Sequence, residues 1–238
     1  MSSFNPLPPA SSPQFLQLTM LRQWQILRPR VYRFLPKNYV EDFFADGSLR
    51  LSSFQRFAQH QDEQRNDASE GFGLRSGVGS EMSVFTVQGR GADCYVLCGS
   101  MHDTAATREC FPDCDGCIII DNPTEFAAQV ALQIPYFKGG YEGSCIYQDD
   151  ASIQKSLGTT TPEELYGKFQ NEDGTISMDL IPHVASRVGG IEEFFIKLGK
   201  YSPQSEYRFL WQSKGILDGH LDIKVPDAIQ LCRKAVGR

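Results

Sequence analysis

The sequence predicts an α+β fold of mainly antiparallel sheets with flanking helices. Short β-favouring runs outnumber helical ones, and few pairs of them are separated by the helical crossover that a parallel sheet requires. The chain has no Gly-rich strand-to-helix loop of the Rossmann or P-loop kind, no His-Glu-x-x-His motif and no Gly-x-Ser-x-Gly elbow.

Residues 14–27 place Phe15, Leu18, Leu21, Trp24 and Leu27 at mostly helical spacing, which predicts an amphipathic helix packed on the domain and ended by Arg28-Pro29. Val31-Tyr32-Arg33-Phe34-Leu35 is a β-favouring run closed by Pro36. A helix over 38–45 follows, with Asn38 as N-cap and Gly47 beyond its end, and then a strand at 49–51. Residues 55–79 turn polar and read as an exposed loop or a frayed helix. Strands at 82–87 and 94–100 are predicted to pair through a turn holding Gly89 and Gly91. A buried strand at 116–121 leads through Asn122-Pro123-Thr124 into a helix at 125–132. The remaining elements are a strand at 144–147, a polar span at 156–182 with one short helix after Pro162, a helix at 191–198, and strands at 207–211 and 221–225.

With 238 residues, 41% hydrophobic and 22% charged, the chain can bury a sizeable core and is expected to form one compact domain over 14–238. Its net charge of -6 makes nucleic acid a poor partner, because a broad cationic footprint for phosphate backbones is missing. No run reaches the ~20 apolar residues of a membrane span. The Ser- and Pro-rich leader 1–13 lacks the basic and apolar regions of a secretory signal, so cytosolic synthesis and a disordered tail are expected. The sharper alternative is a signal for a specialised secretion system. Seven cysteines cannot all pair within the chain, which fits a reducing compartment. Cys110, Cys114 and Cys117, with Cys94, Cys98 and His102 upstream, are spaced too irregularly for the paired ligands of structural zinc, and buried or half-buried free thiols are the expectation.

Three strands carry a lone functional group. Arg33, between aromatics, can hold a phosphate through two parallel hydrogen bonds, or be a solvent-facing or ion-paired residue. Ser100, at a strand end, can orient a ribose or a carboxylate, or serve a turn. Glu206 opens the strand after Lys200-Tyr201-Ser202-Pro203-Gln204-Ser205. It can accept a ribose hydroxyl and stabilise an oxocarbenium-like transition state, or form an exposed pair with Arg208 on an edge strand. In the charged stretch with Asp62, Arg65, Asp67 and Glu70, a loop folded over the site would let Arg65 assist phosphate binding while Asp67 and Glu70 brace it; a solvated loop is the competing reading.

The order Arg33, Ser100, Gln204-Ser205-Glu206 resembles the Arg-Ser-Glu pattern of ADP-ribosyltransferases. From Tyr32 to Trp211 the order of short motifs is also similar to a bacterial family catalogued as domain of unknown function 2971: an aromatic-Arg first strand, a segment from Gly47 to Ser53, Cys98-Gly99-Ser100, an apolar strand after Gly116, and Lys197 followed by Glu206-Tyr207-Arg208. The transferase resemblance implies an ADP-ribosyltransferase-like fold and NAD as substrate, with ADP-ribose passed to a protein or small-molecule acceptor by a bacterial toxin, effector or defence protein. It implies that Arg33 meets the dinucleotide phosphate and nicotinamide ribose, that Ser100 supports the nicotinamide pocket and Glu206, that Glu206 is the catalytic carboxylate, and that Gln204 meets the acceptor. Cys98-Gly99-Ser100 departs from the Ser-Thr-Ser of that pattern. Two other classes compete: a catalytically silent module of the same fold that binds a nucleotide or a protein, and a zinc-stabilised interaction domain. Exchange of Glu206 for Ala is expected to abolish NAD turnover and leave the fold intact.

Overall fold

The computed structural model describes residues 29–54, 56, 73–79, 83–88, 91–149, 152–188, 190–217 and 219–235. The leader 1–13, the expected helix 14–27 and Arg65 with its charged neighbours lie outside them. The described chain runs β1 (Val31–Leu35), α1 (Lys37–Asp46), β2 (Ser48–Ser53), β3 (Gly73–Gly79), β4 (Ser83–Gln88), β5 (Cys94–Ser100), α2 (Ala105–Glu109), β6 (Gly116–Ile120), α3 (Pro123–Ala131), β7 (Gly139–Ser144), β8 (Ile146–Gln148), β9 (Ser152–Gly158), α4 (Pro162–Tyr166), α5 (Leu180–Val188), β10 (Ile196–Leu198), β11 (Glu206–Gln212), β12 (His220–Lys224) and β13 (Cys232–Lys234).

Eight strands form one antiparallel sheet in the order β12-β2-β5-β1-β6-β13, with β11 against the other edge of β5 and β7 outside β11. The branch at β5 creates the site. One edge of β5 runs fully against β11, from Cys94↔Gln212 to Ser100↔Glu206. The opposite edge is shared: β2 takes Tyr95 and Val96, β1 takes Ser100 through Tyr32, and the two strands diverge over the stretch between. A notch therefore opens in the sheet over Leu97, Cys98 and Gly99. Two small sheets complete the fold, β10-β8 with a parallel pair and β4-β3-β9 with one antiparallel and one parallel pair. The architecture is α+β with a mainly antiparallel sheet, as the sequence predicts.

The main core lies on the face of the large sheet that α1 and α3 cover. Val31, Leu49, Leu51, Leu97, Ile118, Ile120, Phe209 and Trp211 form a core with Val40 and Phe43 of α1 and Phe126 and Val130 of α3. Burial of these side chains at about 25 cal/mol per Å² of apolar surface is the main force holding the sheet together. Gly47 ends α1 in the left-handed conformation (φ 80°) that the expected C-terminal glycine requires. Asn122 caps α3 by accepting the Glu125 N–H at 3.4 Å.

Several expectations are corrected. The 82–87 and 94–100 runs do not pair with each other: β4 joins β3, and β5 enters the large sheet. The polar stretch read as loop holds β3, because a strand of Gly and Ser carries no apolar period. Pro36, not Asn38, stands at the N-cap of α1. Residues 191–198 form a 3-10 turn (Glu192–Phe195) followed by β10, whose ladder to β8 overrides the helical spacing of Ile191, Phe194, Phe195 and Leu198. Strands β9 and β13 and helix α5 were not expected.

Candidate active site

The notch is the floor of a cleft of about 240 Å³ whose walls are β1, β2 and β5 and the segments before β11. Arg33, Ser100, Gln204 and Glu206, brought from three strands and a turn, all line it. Arg33 reaches from β1 across the gap and its Nη1 donates to the Cys98 carbonyl at 2.7 Å. The divergence of β1 and β2 leaves that carbonyl without a ladder partner on this side, and the guanidinium supplies the missing donor. Gly99 has a steric reason: a Cβ there would lie 2.4 Å from Val31 Cγ1. A glycine at 99 thus follows from how closely β1 approaches β5.

Glu206 is the first residue of β11 and is 5% exposed. Lys197, itself 7% exposed, donates from Nζ to Oε2 at 2.5 Å and to Gln204 Oε1 at 2.8 Å. Arg208, fully buried, donates from Nε and Nη2 to Oε1 at 2.8 and 2.6 Å. The Cys145 thiol lies 3.6 Å from Oε1, and the Cys98 thiol also bonds the carboxylate. Burial works against the charge of Glu206, but the adjacent Arg208 and Lys197 outweigh it and hold the carboxyl well below the usual carboxylate range. The group is a carboxylate that is ionised at neutral pH, held between two buried cations. It is not the exposed edge-strand pair that Glu206-x-Arg208 can also spell, since β11 is flanked on both sides by β5 and β7.

The turn that delivers Glu206 is held from several directions. Gly199–Gln204 is a 3-10 turn, and Ser205 closes it at φ 44°, a left-handed conformation strained for a residue with a Cβ. The Ser100 hydroxyl donates to the Gln204 carbonyl, so this buried serine fixes the turn. The Glu206 N–H donates to the Tyr147 hydroxyl at 2.7 Å. Burial first, and then the charge of Glu206, push the Tyr147 phenol up to about 12. Arg208 also donates from Nη1 to the Phe194 carbonyl and lies over the Phe54 ring at 5.7 Å.

Sequence reasoning gave no role to Lys197, Arg50 or Arg56, all of which line the cleft, and considered Arg208, beneath it, only as half of an exposed pair. One signal was available: Glu206 and Arg208 are two apart on a strand, hence on one face, while Tyr207, Phe209 and Trp211 occupy the other. Opposite charges on one side of an otherwise apolar strand point to a buried pair. The position of Arg65 relative to the cleft falls outside the described residues.

The cysteines are dispersed. None of the seven is joined in a disulfide; Cys94 and Cys117 are buried apart from each other, in different apolar clusters. Among the described residues no group of three or more His, Cys, Asp or Glu side chains is placed to hold a metal ion. Among them, too, no helix is long and apolar enough to cross a membrane.

The fold and site define an α+β protein with an ionised carboxylate buried at the foot of a cationic cleft. Comparison of the chain with known protein families, with curated proteins and with solved structures found no match.

Proposed function

We propose that the protein is an NAD-dependent ADP-ribosyltransferase acting on a protein or small-molecule acceptor, as a bacterial toxin, effector or defence protein would. The observation that carries the reading is the convergence of Arg33, Ser100, Gln204 and Glu206, drawn from positions 33 to 206 of the chain, on one cleft. Among the described residues four cationic side chains, Arg33, Arg50, Arg56 and Lys197, line that cleft against one carboxylate, that of Glu206, in a chain whose net charge is -6. Such focusing suits a ligand carrying phosphates.

In this reading the bond from ribose C1′ to the nicotinamide nitrogen breaks, and its electron pair leaves with nicotinamide, which becomes neutral. The positive charge spreads over C1′ and the ring oxygen, where the ionised Glu206 stabilises it. An acceptor oxygen or nitrogen then attacks C1′ and releases its proton to water. Glu206 is held too acidic to take that proton, so its part is electrostatic. Gln204, tied to Lys197, would meet the acceptor.

A second reading, the catalytically silent module, is favoured by the saturation of the carboxylate: Lys197, Arg208, Cys145 and Cys98 all contact it. The deciding experiment measures nicotinamide release and NAD binding side by side. Exchange of Glu206 for Ala is no longer a clean probe, because it leaves two cations buried together. Glu206→Asp keeps the charge and draws it back by one methylene. Turnover about a hundredfold lower in Glu206→Asp, with folding retained, is the expected result, on the scale of losing one preorganised electrostatic contact. NAD binding by the parent without nicotinamide release would leave the silent module.

A further inference from the structure

Beyond Arg33, two arginines on the opposite bank of the cleft have a geometry of their own. Arg50 on β2 is gripped by Asp222 of β12, from Nε at 2.6 Å and Nη2 at 2.8 Å, a two-point bond that fixes the plane of its guanidinium. Arg56, just past β2, places Nη1 2.5 Å from Nδ1 of His220, also on β12. Arginine has only donors, so Nδ1 is the accepting partner, and the other ring nitrogen, Nε2, lies 3.4 Å from Asp222 Oδ2. Asp222 and His220 thus brace both arginines from one strand. Both stay partly exposed and line the cleft, and Ser52 lies between them in sequence.

Arg50 has a second position of interest. A larger hollow of about 520 Å³ opens between α1, β2, β6 and β12, and Arg33, Leu35, Arg50 and Ser52 line both it and the cleft. Its wall includes apolar Phe43, Leu49, Ile118 and Ile223 with Tyr39. Arg50 stands where the two hollows meet, and Arg56 lines the cleft.

We propose that Arg50 and Arg56, held by Asp222 and His220, form a diphosphate-binding fork in the cleft, with Arg50 at its junction with the larger hollow. The ligand class is a nucleoside diphosphate group with its base toward the larger hollow, against Tyr39, Phe43, Leu49 and Ile223. The inference deepens the dinucleotide reading of the cleft and rests on it. A diphosphate has anionic oxygens on two phosphorus atoms, and two planar guanidinium groups can each take one phosphate through paired N–H donors. Lysine, a compact point charge, cannot repeat that pairing.

The test is calorimetric titration of ADP and AMP into the parent chain, Arg50→Met, Arg56→Met, Arg50→Lys and Arg56→Lys. The parent is expected to bind ADP at least tenfold more tightly than AMP, and each substitution to cut that preference below threefold. The lysine variants keep the positive charge and serve where a methionine variant fails to fold. A parent that binds both equally, or a preference of threefold or more surviving in the folded variants, overturns the fork. Nicotinamide release is read on the same samples. A parent with the ADP preference but no release sinks the transferase reading and leaves the fork; release with unchanged NAD KM in the variants sinks the fork and leaves the transferase.

Discussion

Glu206→Gln changes almost no volume and removes one charge, so its effect isolates the electrostatics at the foot of the cleft. In the parent, one buried carboxylate serves two buried cations, Lys197 and Arg208. The substitution leaves those cations together with no anion between them. Breaking a buried ion pair in this way costs about 3–5 kcal/mol. In a chain of 238 residues each kcal/mol moves the melting temperature by roughly 2–4 °C, so a fall of about 6–20 °C is expected. Lys197→Met removes a cation instead. It sacrifices two charge-assisted bonds, to Glu206 and Gln204, of about 1.5–3 kcal/mol each, but leaves Glu206 and Arg208 balanced and relieves the buried ammonium of its desolvation of several kcal/mol, so its fall is smaller. The pH dependence follows from the direction of the shift. The folded Glu206 carboxyl lies below its reference value of 4.5, so the unfolded chain binds the proton more readily. Its stabilisation is fully present above that value and is lost as the pH falls through the folded one. The gap between parent and Glu206→Gln should be widest near neutrality and narrow below pH 4.5. Thermal unfolding followed by circular dichroism across this range is the assay. A fall under about 2 °C for Glu206→Gln, or a larger fall for Lys197→Met, refutes the charge-balance argument.

Two further outcomes are expected. Gly99→Ala pushes a methyl into Val31 at 2.4 Å, beside the Tyr32 carbonyl, and should cost about 1–3 kcal/mol in urea unfolding; an unchanged midpoint would mean that β1 does not press on β5 as described. Burial pushes the Cys117 and Cys232 thiols up to about 12, so both should resist alkylation at pH 8 in the native chain and react on unfolding. Cys117 labelled in the native state as fast as a small free thiol would show that its strand is not buried.

Local chemistry made part of this protein readable. The apolar runs 31–35, 94–100 and 116–121 correspond to β1, β5 and β6 because residues that favour pleated, half-buried backbone are concentrated there. The left-handed end of α1 needs a glycine at Gly47, and the start of α3 shows in Asn122-Pro123. Arg33, Ser100, Gln204 and Glu206 stood out as polar groups set on strands or a turn, and the cleft holds all of them.

Partner choice between strands was not readable, and the site depends on it. No local signal makes β2 and β1 share one edge of β5 and part over Cys98, because that edge joins residues as far apart as Tyr32 and Ser100. The same holds for Lys197, whose stretch has helical spacing but becomes a strand by pairing with β8. Residue types fixed which side chains were able to carry charge. Long-range pairing decided which of those charges left water, and removal from water is what turned Glu206-x-Arg208 from an ordinary surface pair into a buried ion cluster.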